Sequence, residues 1–204
     1  MAVLILDPEL AGRLITDPEI RRPTDRDEVW EGLLVMPPSP NTEHQRLVSR
    51  VNSALSAVVD WDRGDQVVPG GNVSDRSVGW IGNYRIPDVL VCLAGGLARD
   101  LGTHWVGGPD VAVEIVSPGE DPRAKLDFYA SVGTRELLVL DRDPWALELY
   151  QLAVGRLGLA GRSDAATPAV LASVVLPLTF QLRDGTPRPT IHIAHTTTGQ
   201  TWTA

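Results

Sequence analysis

The segment PDVAVEIVSP, residues 109–118, gives the clearest indication of the fold. It predicts a strand over 110–116 whose side chains point to two faces, with Val111, Val113 and Ile115 on one and Ala112, Glu114 and Val116 on the other. Both faces are largely apolar, which is typical of a central strand covered on both sides. Burying a carboxylate without a partner is costly, so we expect Glu114 to be neutralised, paired or bound to a metal.

The segment after this strand predicts a helix that carries a lysine on its inward face. Asp121 is the predicted N-cap, Pro122 occupies the first helical position, and Gly133 ends the helix. Lys125 shares a stripe with the residues three, four and seven positions later, Phe128, Tyr129 and Val132. A cation near a helix N-terminus also opposes the helix dipole. Lys125 is thus a charged residue on an inward face and a cation at the unfavourable end of a helix. Two such departures from local preference at one residue are typical of a functional residue.

Asp88 opens the strand predicted over 86–93, which precedes the strand of Glu114. Two carboxylates at neighbouring strand ends can hold a hard cation such as Mg²⁺, and a nearby lysine can steady an attacking water or a developing phosphate charge. In an alternative interpretation, Asp88 and Glu114 only form ion pairs with Lys125 or Arg85 inside the fold. The spacing of these residues leaves both interpretations open.

The rest of the chain predicts a mixed sheet flanked by helices, which is an α/β arrangement. An N-cap at Asn41 begins a helix to Val59 whose apolar stripe includes His44. The residues from 187 onward are polar and rich in threonine, and they predict a peripheral tail. The other predicted elements are a helix over 9–15, a strand over 29–36, a loop over 64–84 with a strand at 66–68, a hairpin of 136–140 and 146–152, and a strand over 170–178.

Composition restricts the compartment and the partners. The 204 residues carry a formal charge of -8 and contain one cysteine, Cys92, so an internal disulfide is excluded and a reducing cytoplasm is expected. No stretch approaches the roughly 18 apolar residues of a membrane helix. The chain has no block of lysines or arginines, which counts against tight non-specific DNA binding. Metal-binding carboxylates would explain part of the negative charge, because a bound cation offsets it.

Several motifs occur in an order that resembles the bacterial Uma-type family of restriction endonuclease-like proteins, within the PD-(D/E)XK superfamily. The resemblance spans residues 29–152. Each motif is weak alone, and the ordered set is fairly specific. They are RIPDVLV (85–91), PDVAVEIVSP (109–118), Lys125 with Tyr129, WEGLLVM (30–36), PSP (38–40) with His44, and residues 133–140.

The resemblance implies a PD-(D/E)XK fold in which Asp88 and Glu114 are the acids that bind Mg²⁺ or Mn²⁺. The superfamily's lysine usually follows the second acid by two residues, where this chain has Val116. In the Uma-type pattern the lysine moves to the following helix, which matches Lys125. The nuclease-like domain is then expected over 29–186, after an N-terminal extension (1–28) and before the C-terminal tail (187–204).

Two further residues receive roles only through the resemblance. Glu31 would be an accessory acid beside the metal, or alternatively an exposed strand carboxylate. His44 would approach the same pocket as a catalytic residue, or alternatively form a structural hydrogen bond at the start of its helix.

The implied activity is Mg²⁺-dependent endonucleolytic cleavage of DNA. One alternative is a catalytically silent module of the same fold that binds or regulates a partner. The acidic charge favours this alternative. We also consider that the protein forms a homodimer. Another alternative is hydrolysis of a different phosphodiester, in RNA or in a nucleotide.

Overall fold

The computed structural model describes residues 3–17 and 26–204, which form three sheets and three α-helices. The helices are α1 (Pro8–Thr16), α2 (Thr42–Ser56) and α3 (Leu126–Val132), with short 3-10 helices at Trp61–Arg63, Trp80–Gly82 and Pro122–Lys125. The strands are β1 (Val3–Ile5), β2 (Glu28–Trp30), β3 (Leu33–Met36), β4 (Gln66–Val68), β5 (Val73–Ser74), β6 (Tyr84–Arg85), β7 (Val89–Cys92), β8 (Arg99–Asp100), β9 (Trp105–Val106), β10 (Val111–Ile115), β11 (Glu136–Arg142), β12 (Trp145–Ala153), β13 (Arg156–Asp164), β14 (Leu171–Ala172), β15 (Leu178–Arg183), β16 (Thr190–His195) and β17 (Thr201–Thr203).

The central sheet has the strand order β13-β12-β11-β10-β7-β4. Strand β10 runs parallel to β11 and antiparallel to β7, so the predicted mixed sheet is confirmed. Alternate residues of β10 face opposite sides. Val113 belongs to the cluster that contains Leu47 of α2, and Ala112 belongs to the cluster that contains Tyr129 of α3. Helices therefore cover both faces of β10, as its apolar pattern predicted.

A second sheet, ordered β1-β3-β2-β6-β5-β9-β8, changes the interpretation of residues 29–36. We expected one strand there, but β2 and β3 form a hairpin in which Trp30 pairs with Leu33. The two turn residues have positive φ, 49° at Glu31 and 83° at Gly32, as a two-residue hairpin of this twist requires. Glu31 therefore lies in the turn, whereas Glu28 lies within a strand.

Both helices predicted near the site form, with altered limits. Helix α2 has the predicted N-cap, since Asn41 Oδ1 accepts from the His44 backbone N–H at 2.9 Å, and it ends at Ser56 before the expected Val59. The helix expected from Asp121 to Gly133 begins as a 3-10 turn and becomes α-helical at Leu126. Lys125 consequently lies at the junction of the two helical segments.

The expectation of a peripheral C-terminal tail is wrong. Strands β14-β15-β16-β17 form a third sheet that includes residues 190–203. Phe180, Ile191 and Ile193 are buried in the same cluster as α2. Alternation of apolar and polar side chains along β15 and β16 makes one face of this sheet part of the core. The strand expected over 170–178 is replaced by the shorter β14 and by β15.

The N-terminal residues also differ from the expected extension. Strand β1 pairs with β3, and Ala11 of α1 is buried with Val29 and Leu34, so both elements belong to the second sheet and its core. The parts of the expected extension at residues 1–2 and 18–25 lie outside the described residues. Across 3–17 and 26–204, no helix has the length and apolar character needed to span a membrane.

Candidate active site

Asp88 and Glu114 converge because β7 and β10 are antiparallel neighbours. Val89 pairs with Val113, so Asp88, the residue before Val89, comes beside Glu114, the residue after Val113. The backbone N–H of Ile115 donates to Asp88 Oδ2 at 2.8 Å. Asp88 and Glu114 are 8% and 5% exposed, and both line one pocket. The two predicted acids therefore share a single site.

Lys125 lies between Glu114 and a third acid. Its Nζ is 3.1 Å from each oxygen of Glu114 and 2.8 Å from Glu28 Oε1. Burial of the amine lowers its pKa, but the attraction of Glu114 and Glu28 outweighs burial and raises the pKa above its ordinary value. The side chain is 15% exposed. Lys125 is therefore a protonated, fixed cation facing the site.

Lys125 is also the only lysine in the chain. Lys and Arg together number 18, and the other 17 are arginines. An ammonium is compact and has three donors on a flexible stem, whereas a guanidinium is a wide planar fork. At each of the other 17 positions that carry lysine or arginine the chain has arginine, so the exception at residue 125 is itself a sequence signal for this site.

Glu114 has an altered pKa. Burial raises the pKa of its carboxyl to about 8, against the opposing attraction of Lys125. The Tyr129 hydroxyl donates to Glu114 Oε1 at 2.6 Å. Both oxygens are therefore bound by side chains of the helical segment that follows β10.

His44 joins the site through Asp88. His44 Nε2 is 2.8 Å from Asp88 Oδ1, and His44 Nδ1 is 3.5 Å from the Ser117 hydroxyl. Arg26 Nη1 approaches the same Asp88 oxygen at 3.4 Å. The N-cap at Asn41 sets the first turn of α2, so this helix start determines the position of the imidazole.

The structure does not bring Glu31 to the pocket. Its side chain is 74% exposed, and Oε1 accepts from Asn83 Nδ2 at 2.6 Å. Glu28, which sequence reasoning missed, lines the pocket instead. The signal that could have found it is Gly32: a glycine two residues after Trp30 in an apolar run indicates a two-residue turn, which moves Glu31 out of the strand.

The pocket has a volume of about 100 Å³. Its apolar wall comes from the segment after β3 and from neighbouring strands, and its polar wall carries the acids described above. Glu120 also lines it, and burial raises the pKa of its carboxyl against the opposing attraction of Lys125. The apolar lining includes Trp30, Val35, Pro37, Pro38, Pro40 and Ile86.

The donor set suits a hard cation held by few protein ligands. Within 3–17 and 26–204, no group of three or more His, Cys, Asp or Glu residues is arranged to hold a metal ion. Mg²⁺ is commonly bound by one or two carboxylates, with water and substrate phosphate at its other positions. Asp88 and Glu114 fit this requirement, although a cation would have to compete with Lys125 for the oxygens of Glu114.

The mixed sheet flanked by helices is consistent with the restriction endonuclease-like fold. The chain belongs to the Uma2 family, described as "Putative restriction endonuclease", whose pattern it matches over residues 16–183. A solved structure with the same fold is that of "a putative nuclease belonging to DUF820" from Anabaena variabilis ATCC 29413. The TM-score is 0.59 with 18% identity, covering 76% of this chain and 85% of that one. No curated protein matches the chain.

Proposed function

We propose that this protein is a metal-dependent nuclease that hydrolyses phosphodiester bonds in DNA, with Mg²⁺ or Mn²⁺ as its cofactor. The observation that carries the proposal is the convergence of Asp88, Glu114 and Lys125 on one pocket. Phosphodiester hydrolysis is accelerated by a Lewis acid, an activated water and positive charge near the scissile phosphate. Membership of the Uma2 family supports the same reaction class.

In this proposal Asp88 and Glu114 hold the cation. When bound, the cation supplies a Lewis acid and lowers the pKa of a water molecule. His44 and the Ile115 backbone N–H orient the Asp88 carboxylate, since each donates to or contacts a different oxygen. Partners of this kind fix the geometry of a metal ligand.

Lys125 contributes positive charge. Because Glu114 and Glu28 favour its protonated form, Lys125 is a poor general base at neutral pH. Its ammonium can instead stabilise negative charge that develops on a phosphate in the transition state. The absence of lysine elsewhere in the sequence agrees with a requirement for this particular group.

Cleavage assays test the proposal. Purified protein with Mg²⁺ or Mn²⁺ is incubated with supercoiled, linear and single-stranded DNA and with RNA, alongside Asp88→Asn and Glu114→Gln. We expect cleavage of DNA by the wild type and loss of it in both variants. Asp62→Asn, at an exposed position, is the matched control. Absence of cleavage on every substrate would contradict the proposal, and preferential cleavage of RNA would change the substrate.

A second candidate is a binding or regulatory module without catalysis. The net charge of -8 and the saturation of Glu114 by Lys125 and Tyr129 favour it. Titration calorimetry with Mn²⁺ separates the two candidates, because a closed ion-pair cluster binds no cation. A homodimer and a cytoplasmic location remain predictions; light scattering of the purified protein measures the first and cell fractionation the second.

A further inference from the structure

Glu28 is bound through both of its carboxylate oxygens. Its Oε1 accepts from the Ile86 backbone N–H and from Lys125 Nζ, both at 2.8 Å, and its Oε2 accepts from Trp30 Nε1 at 2.7 Å. The residue is 4% exposed. Both carboxylate oxygens are therefore engaged by protein donors, and Lys125 is one of them.

Trp30, whose indole N–H donates to Glu28, is itself held in place by its neighbours. The Arg85 guanidinium lies over the Trp30 ring, 4.6 Å from its centre, and 4.3 Å from the centre of the Phe128 ring. Arg85 Nη1 also donates to the Val29 carbonyl at 2.8 Å. Contacts between a cation and an aromatic face are strengthened by exclusion of water. Trp30 therefore has little freedom to move its indole N–H away from Glu28.

Glu114 differs from Glu28 in the kind of donors it has. Its oxygens are bound by the side chains of Lys125 and Tyr129. Side-chain donors can rotate away and so free the oxygens of Glu114. Glu28 also accepts from the backbone N–H of Ile86, which is fixed, so it could move only by giving up that bond. A cation entering the pocket would thus displace Lys125 from Glu114 more easily than from Glu28.

We infer that Glu28 is a positioning residue, which retains the Lys125 ammonium in the pocket when Glu114 turns its oxygens to a divalent cation. This inference rests on the proposed function. Without Glu28, the flexible lysine would be repelled by the cation and would gain rotamer freedom by turning to solvent. With Glu28 in place, the ammonium stays beside the reacting phosphate.

The single lysine allows a direct test. Protein grown with ε-¹⁵N-lysine gives one lysine ammonium resonance, which is detectable when hydrogen bonds protect it from exchange. We expect this resonance in the wild type both without and with Mg²⁺, with a change in chemical shift on Mg²⁺ addition. In Glu28→Gln we expect it without Mg²⁺, through Glu114, and expect it to broaden or disappear once Mg²⁺ is added.

Matched variants separate this role from a general structural one. Glu31→Gln makes the same change three residues away, at an exposed side chain outside the pocket lining, and should behave as the wild type. Trp30→Phe keeps an aromatic ring but removes the donor to Glu28 Oε2, and should weaken retention in the same direction. In turnover, Glu28→Gln should lower kcat by at least about tenfold with the KM for DNA nearly unchanged.

The results distinguish a failure of the proposed metal-dependent function from a failure of the inference about Glu28. If Mg²⁺ leaves the wild-type resonance unaltered, the proposed metal function fails. If Mg²⁺ shifts that resonance and it persists in Glu28→Gln, the inference about Glu28 is overturned while the metal function stands. Should Glu28→Gln fail to fold, Trp30→Phe decides, and a wild-type response there overturns the inference.

Discussion

The Tyr129 hydroxyl donates to Glu114 Oε1 at 2.6 Å, which joins helix α3 to strand β10 inside the protein. Lys125, four residues earlier, contacts the same carboxylate. Residues at this spacing lie on the same side of a helical segment, so one face supplies both donors. The packing of α3 against β10 therefore determines the electrostatics of the site.

Metal-free protein should become less stable as pH rises between the ordinary pKa of Glu114, 4.5, and its folded pKa of about 8. In this window the native state binds a proton that the unfolded chain has lost, so the free energy of unfolding falls by up to about 1.4 kcal/mol per pH unit. Urea unfolding with EDTA at several pH values measures this. Glu114→Gln should show a shallower slope, and equal slopes would contradict the prediction.

Tyr129→Phe should raise the pKa of Glu114 further. The lost hydrogen bond favoured the ionised carboxylate, whereas burial of the site is retained. We expect the falling part of the stability profile to extend to higher pH than in the wild type. A profile displaced to lower pH would show that the hydroxyl does not act as a donor to Glu114.

Lys125→Arg should reduce DNA cleavage by about 10²-fold or more, even though the charge is kept. A planar guanidinium cannot reproduce a compact ammonium that lies about 3 Å from the oxygens of both Glu28 and Glu114. Single-turnover kinetics of the folded variant measure the loss. Arg123→Lys, outside the pocket lining, is a control for exchange between these two residue types. Wild-type cleavage by Lys125→Arg would mean that charge alone suffices.

His44→Ala should weaken Mn²⁺ binding by about 10- to 100-fold, because it removes the group that orients Asp88 Oδ1. Calorimetric titration gives the dissociation constants. His195→Ala, on β16 and outside the pocket lining, should bind as the wild type. Unchanged affinity in His44→Ala would assign His44 a packing role instead.

Ile193→Ala should lower the free energy of unfolding by about 2–5 kcal/mol, since it leaves a cavity where the third sheet packs against the cluster of α2. Val170→Ala, at a position 58% exposed, should change stability by less than about 0.5 kcal/mol. Urea unfolding compares the two. A small effect at Ile193 would restore the idea of a peripheral C-terminal segment.

The strands around the site were predictable from local pattern. The apolar run around Glu114 predicted a central strand, and helix signals at Asn41, Asp121 and Gly133 correspond to observed caps. These features depend on residues a few positions apart. Burial and capping act over such short distances, so the sequence carries them directly.

The wrong predictions concerned a turn between two strands and the pairing of strands that are distant in sequence. The resemblance placed Glu31 in the site, and the assignment of 29–36 to one strand overlooked Glu28, because one two-residue turn changes which side chains share a face. The C-terminal residues looked polar overall, yet the alternation at Ile191 and Ile193 places one face of their strand in the core.

From local pattern alone, the sequence predicts an acid within a central strand, a second acid at the start of the neighbouring strand, and a single lysine on an inward helical face. Which glutamate meets that lysine follows only from the packed fold, since Glu28 and Lys125 are 97 positions apart in the chain. The difference lies in the distance over which each interaction acts. Backbone preferences and hydrophobic periodicity act locally, whereas a hydrogen bond between distant residues exists only after the sheets and helices have packed.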